Sequence, residues 1–238
     1  MPETPSGYTL ADLLRERPAF HLDNGVPVSW HLREDVLAFI EASVKPGDRT
    51  LETGEGYSTV VFAAQGARHT CVSPNGPALE KIKNFCAAHG ISTEHLDFAL
   101  QDSEEFLPTL TDSTLDLALI DGGHGFPTPM VDWRYIAPHL RVGGLLVIDD
   151  TQLGPVRLLR DFLSAEEGWA LERDFPYRTA VFRKTAAFAA REWTDQPYAL
   201  DLTLRFEPRL AVKAFRRLKW ITRRQVDRTR RKSAPNRI

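Results

Sequence analysis

The chain reads as a doubly wound α/β protein, a mostly parallel sheet with helices on both faces, and three observations predict it. Short β-prone runs alternate with stretches of helical spacing from residue 46 to residue 185. The strands are apolar almost throughout, as strands covered on both sides must be. The first of them, Arg49-Thr50-Leu51-Glu52-Thr53, runs into a turn with two glycines, Gly54 and Gly56, and then into a helix start at Ser58.

The elements follow in order. Residues 1–45 form a helical preface, with helix-like apolar spacing over Thr9–Leu14 and over Ser29–Ile40, where Ser29 is a plausible N-cap. Pro46-Gly47-Asp48 is a turn. Seven strands are expected: Arg49–Thr53, His69–Ser73, His95–Leu100, Leu115–Ile120, Leu145–Ile148, and two more near Trp169–Asp174 and Thr179–Arg183. Between them lie helices over Ala78–His89, stopped at Gly90, and over Pro129–Leu140, stopped at Gly143-Gly144, with another over Val156–Ala165. A short helix starts at Glu104. Residues 186–238 form a C-terminal extension, so three regions are expected: 1–45, 46–185 and 186–238.

A chain of 238 residues with 42% apolar residues can bury a substantial core in one such domain. No apolar run approaches the ~20 residues that span a bilayer, and the start lacks a secretory pattern. The two cysteines, Cys71 and Cys86, fall in a strand and a helix and read as buried thiols; a cytoplasmic location is expected. The net charge of −2 hides a division. Residues 205–238 hold 13 Lys/Arg and 2 Asp/Glu, so the rest of the chain is strongly acidic.

Within that basic stretch Ala211, Ala214, Phe215, Leu218 and Ile221 recur at helical spacing, which predicts an amphipathic cationic helix. Docking on the body or on a second copy as a homo-oligomer is the plainest account. Peripheral contact with an anionic membrane comes next. Nucleic acid is least favoured, because the body carries no recognisable nucleic-acid motif.

The glycine turn is where the chemistry begins. Free N–H groups at the helix start favour a carboxylate or phosphate over the turn. A dinucleotide fingerprint would place a third glycine at position 59, which is threonine. In sheets of this kind ligands bind beyond the carboxyl ends of the strands, and those ends are acidic here: Glu52, Asp121, Asp149 and Asp150. Clustered like charges call for a cation or a proton, and hard oxygen donors suit Mg²⁺.

The pattern Glu52-x-Gly54-x-Gly56-x-Ser58 resembles the first motif of the class I S-adenosylmethionine (SAM)-dependent methyltransferases. Leu119-Ile120-Asp121-Gly122-Gly123-His124 and Gly143–Asp150 are similar to signatures of metal-assisted small-molecule O-methyltransferases. The nearest likeness is to the group containing macrocin O-methyltransferase, with catechol O-methyltransferase more distant. The resemblance implies a Rossmann-like seven-stranded fold over residues 46–185 and SAM as cofactor. It also implies Mg²⁺ on Asp121, Asp149 and Asp150, with a small-molecule acceptor.

On the same resemblance Glu52, Gly54, Gly56 and Ser58 lie at the cofactor, and Asp102 and Ser103 flank its adenine. An acid usually ends the second strand and binds the ribose hydroxyls. Here Ser73 and Asn75 stand in that region instead. His124, three residues after Asp121, occupies the offset of a general base, and an imidazole suits that task; capping or packing of its loop is the alternative. Trp30 and Phe126 read as wall residues or as packing. Two other functions stay open: a cofactor- or partner-binding protein without catalysis, and a metal-independent methyltransferase.

Overall fold

The computed structural model describes residues 6–111 and 114–207. One compact unit ends at Ala189 and a second begins at Ala190. In the first, α1 (Leu10–Glu16) leads to a hairpin of β1 (His21–Asp23) and β2 (Val26–Val28), then to α2 (Glu34–Ser43). The repeating part follows: β3 (Arg49–Thr53), α3 (Tyr57–Ala64), β4 (Arg68–Val72), α4 (Gly76–Ala88), β5 (Leu96–Ala99) and α5 (Ser103–Phe106). It continues through β6 (Leu115–Ile120), α6 (Thr128–His139), β7 (Leu140–Ile148), α7 (Gly154–Ala165), β8 (Trp169–Phe175) and β9 (Thr179–Lys184). The second unit contributes one described α-helix, α8 (Pro197–Phe206).

Seven strands form one mostly parallel sheet, as the sequence predicts, and their order is β5-β4-β3-β6-β7-β9-β8. The pairs from β5 through β7 are parallel, whereas β9 runs antiparallel to both β7 and β8. Strand β3 has β4 on one side and β6 on the other, so the winding reverses at its end. That is where an open α/β sheet leaves a crevice.

Leu117, Leu119 and Val147 bury one sheet face in a cluster with Val36, Ile40, Phe62 and Ile82 from α2, α3 and α4. The alternate residues Ala118, Ile120, Leu146 and Ile148 are buried on the opposite face, which α6 helps to cover. Both cysteines are free and buried. No helix among the described residues is long and apolar enough to cross a membrane.

Several local expectations are corrected. Thr9 caps α1, with its hydroxyl accepting from the Asp12 N–H, but the second helix starts at Glu34 rather than after Ser29. The Ser29 hydroxyl instead donates to the Arg17 carbonyl. The segment between holds the β1–β2 hairpin, turned at Asn24-Gly25 with both residues at positive φ. Gly143-Gly144 does not stop a helix; it lies inside the longer β7, which starts at Leu140. There Gly143 takes φ +86°, and a Cβ on Gly144 would stand 3.0 Å from the carbonyl oxygens of Arg141 and Asp116. The expected helix over Ala211–Ile221 lies outside the described residues.

Candidate functional site

A cavity of about 960 Å³ opens at the carboxyl ends of β3, β4, β6 and β7. Its floor is the turn from Thr53 to Ser58, which delivers the chain into α3. Gly54 takes φ +89°, and a Cβ there would lie 2.4 Å from the Asp121 carbonyl oxygen. This glycine lets the ends of β3 and β6 close on each other, a stronger demand than room for a ligand. Gly56 differs: the nearest atoms to a Cβ are the His21 ring at 3.6 Å and the Trp30 carbonyl at 3.9 Å, both on residues of the cavity wall.

Glu52 is not on that wall. Its side chain is 1% exposed, with Oε1 accepting from the Thr59 hydroxyl and lying 3.1 Å from His69 Nε2. Thr59 Oγ1 also accepts from the Gly56 N–H at 3.1 Å, and His69 Nδ1 pairs with Thr50 Oγ1 at 2.8 Å. The acid expected beside a ligand is therefore the hub of a buried network that fixes the glycine turn from beneath. Burial explains the difference, because a carboxylate at that depth must spend its lone pairs on protein donors. Within this turn the acid that lines the cavity is Glu55.

At the ends of β6 and β7 the expected residues come together, with one exchange. His124 Nε2 stands 3.2 Å from Asp150 Oδ2 and 3.8 Å from Asp121 Oδ1. One ligand atom from each of these three lies within 4.8 Å of the others, a separation that suits a metal ion. Asp149 turns away from them, accepting from the Thr179 hydroxyl, and is 2% exposed. The ligand-like group is thus Asp121, His124 and Asp150, with Asp149 behind it.

Burial raises the Asp121 pKa to about 7, helped by the charges of Asp149 and Asp150 and opposed by His124. The side chain keeps 29% of its surface exposed, so solvent moderates that push. His124 is raised too, first by its interaction with the Asp121 carboxylate and then by Asp150, against the effect of burial. Asp150 holds φ +54°, a left-handed conformation that costs a non-glycine residue free energy and tends to mark functional turns.

Arg178 is a site residue that sequence reasoning missed. It sits in the turn between β8 and β9, lines the cavity, and brings Nε to 3.0 Å from Asp150 Oδ1 and 3.7 Å from Asp149 Oδ2. Its signal is weak in the sequence, because a lone arginine in a Tyr-Arg-Thr turn looks like any exposed hairpin tip. Only the antiparallel return of β9 beside β7 carries it to the acids.

The opposite end of the cavity is lined by Ser73, Asn75, Asp102 and Ser103. Asn75 caps α4 through its side chain. Asp102 precedes α5 but makes no side-chain cap. The N-terminal segment forms a further wall with His21, Trp30 and His31. His31 stacks on Tyr57 at 4.6 Å between ring centroids, and Trp30 stacks on His21 while remaining 56% exposed. Phe126 is 72% exposed and is not among the cavity-lining residues. Trp133 packs edge-on against Phe162 and Phe188.

Residues 51–151 match a protein family described as a methyltransferase domain. Among solved structures the chain is similar to an O-methyltransferase of tomaymycin synthesis from Streptomyces achromogenes, determined in complex with SAM. The two share 16% identity with a TM-score of 0.58, over 74% of this chain and 90% of the other. An rRNA methylase from Streptococcus thermophilus is similar at 16% identity and a TM-score of 0.52, covering 66% of this chain and 98% of that one. Identities this low speak for the shared fold alone. No curated protein sequence matches the chain.

Proposed function

We propose that this chain is a class I SAM-dependent methyltransferase that moves the methyl group to a hydroxyl oxygen of a small-molecule acceptor with a divalent ion assisting, a reading supported by the methyltransferase-domain match over residues 51–151. The observation that carries the reading is one juxtaposition. A glycine turn entering α3 and the Asp121–His124–Asp150 group share a single cavity. The turn of Gly54 and Gly56 would hold SAM, which would supply an electrophilic methyl carbon. His124 is the group placed to take the acceptor's proton, and Asp121 and Asp150 hold the imidazole in reach of it.

Asp121 and Asp150 also fit a hard cation such as Mg²⁺, with His124 alongside and Asp149 supporting them from behind. The neighbouring charges of Asp149 and Asp150, which add to the effect of burial on Asp121, support this fit, since crowded carboxylates gain most from a cation. Such an ion would lower the pKa of a bound hydroxyl. Holding oxygen and methyl in line would supply much of the remaining acceleration. The wall formed by His21, Trp30 and His31 favours an acceptor small enough to lie within the cavity.

A metal-independent reaction is a second reading with its own support. Arg178 and a protonated His124 already offset the acids without any ion.

Calorimetry with SAM and S-adenosylhomocysteine, with and without Mg²⁺, tests the core of the proposal. Both nucleosides should bind, and Gly56→Val should weaken both at least tenfold by filling room on the cavity floor while the fold survives. Gly54→Val is the poorer probe, because its side chain collides with backbone. Unchanged affinity in Gly56→Val would remove the assignment of the turn. Turnover that persists in a chelator would select the metal-independent reading.

A further inference from the structure

We infer that Glu55 is the residue that binds the vicinal hydroxyls of the cofactor's ribose, in place of an acid at the end of β4. The inference rests on the proposed SAM site and assigns one of its contacts. The reacting end of the cavity is fixed by Asp121, His124 and Asp150 beyond β6 and β7. The rest of a nucleoside must then extend toward β4 and β5, since the sheet order runs β5-β4-β3-β6-β7. From β4 to β7 is three strand spacings, roughly 14 Å, which accommodates an adenosyl group lying across the strand ends.

What that end offers a ribose is decided by the side chains there. A ribose presents two adjacent hydroxyl donors, and the side chain that meets two donors best is an ionised carboxylate, which only accepts. Position 73, at the end of β4, is serine, and its Oγ already accepts from the Asn75 N–H at 3.0 Å. Glu55 reaches the same place from the glycine turn. Its side chain is 8% exposed and lines the cavity, and Oε1 accepts from Asn75 Nδ2 at 2.8 Å.

The neighbours of Glu55 hold it in position without supplying a strong counter-charge. His21 Nδ1 is 3.4 Å from Oε1, but burial lowers the pKa of that imidazole, with Lys81 acting in the same sense. Ser73 and Asn75 are neutral donors that partly offset the effect of burial on the carboxyl. The contacts with Asn75 and His21 both use Oε1, and Oε2 is the atom assigned to the ribose. Asn75 therefore serves twice, capping α4 through Oδ1 and orienting Glu55 through Nδ2.

Calorimetry on the full chain with S-adenosylhomocysteine and with its 2′-deoxy and 3′-deoxy analogues tests this contact. In the unaltered protein, loss of a hydroxyl should weaken binding about 10- to 100-fold, as for a hydrogen bond to a charged group. In Glu55→Ala the parent nucleoside should bind more weakly by a similar factor, and the deoxy penalty should largely disappear. Glu55→Gln, which keeps the shape and one acceptor, should fall between. A deoxy penalty in Glu55→Ala and Glu55→Gln equal to that of the unaltered protein would overturn the assignment while leaving the SAM site intact. Failure of the unaltered protein to bind S-adenosylhomocysteine at all would overturn both.

Discussion

His124 can act as a base only in its neutral form, and its surroundings oppose that form. The nearby carboxylate of Asp121 and the charges of Asp150 and Asp149 raise its pKa above 6.5. The neutral fraction therefore grows as pH rises through that elevated value, and kcat/KM should climb tenfold per pH unit below it and level off above. Asp150→Asn removes one of the charges that hold the proton, so the midpoint should move to lower pH. A profile that is flat across this range, or a midpoint unmoved by Asp150→Asn, would take His124 out of the base role.

Asp132 of α6 offers a separate test, of stability rather than chemistry. It is fully buried, and burial raises its pKa to about 6 against the lowering effect of Ser103 and Thr53. Those hydroxyls act at a distance, because neither carboxyl oxygen reaches hydrogen-bond geometry with a protein partner among the described residues. The folded state therefore holds this proton more tightly than the unfolded chain does. Stability from this group is present below about pH 4 and is lost as pH rises toward 6. Asp132→Asn should be the more stable protein at pH 7, by on the order of 1–3 kcal/mol, and should lose that advantage near pH 4. Urea unfolding at both pH values reads the difference.

What was legible at this scale depended on chain distance. Asp121 and His124 are three residues apart on one loop, so their meeting follows from spacing. That Glu55 rather than Glu52 lines the cavity did not, because strand-end and turn residues differ in direction, and only coordinates show which of two nearby acids faces it.

At the scale of elements, the parallel core was readable because apolar runs and glycine turns alternate at the right lengths. All seven strands of the large sheet stand near their expected places. The errors fall where two physical signals compete. Asn24-Gly25 is a strong hairpin turn, but strands of three residues are too short to show alternation. Gly143-Gly144 looks like a helix stop, yet it serves a bend inside β7, where β6 and β7 shift register between Leu115 and Leu117.

That reading makes a prediction about Gly144. Its Cβ would meet the carbonyl oxygens of Arg141 and Asp116 and the Leu140 side chain, all at 3.0 Å. Two of those neighbours are backbone and cannot move cheaply. Gly144→Val should destabilise the protein by about 1–3 kcal/mol, the usual cost of forcing atoms into a packed site. Gly90→Ala meets no atom within 4 Å, though its φ of +66° adds strain of its own. A smaller loss is expected there, about 1 kcal/mol. Equal losses at the two positions would mean that crowding against β6 does not set the demand for Gly144.

Across the whole molecule the charge is divided by region. Residues 208–238 carry 12 Lys/Arg and one Asp, whereas the other 207 residues are acidic enough to bring the total to −2. Truncation after Glu207 therefore strips a balance of +11 and leaves −13. Two effects would follow, and salt separates them. Uncompensated acidic charge repels itself and lowers stability, but that repulsion is screened beyond a Debye length of ~8 Å at physiological ionic strength and ~3 Å at 1 M. An apolar stripe of Ala211, Ala214, Phe215, Leu218 and Ile221 would act only through burial, which salt does not weaken. If the stripe is covered within the folded protein or by a second copy, the truncated chain should melt at a lower temperature, or sediment as a smaller species, in 1 M salt as well as at low salt. SAM binding should survive truncation, since every cavity-lining residue precedes Ala189. A melting loss that vanishes in salt would leave charge balance as the tail's whole contribution. Sedimentation of the intact but not the truncated protein with anionic vesicles, at an unchanged melting temperature, would assign the stripe to a membrane surface instead.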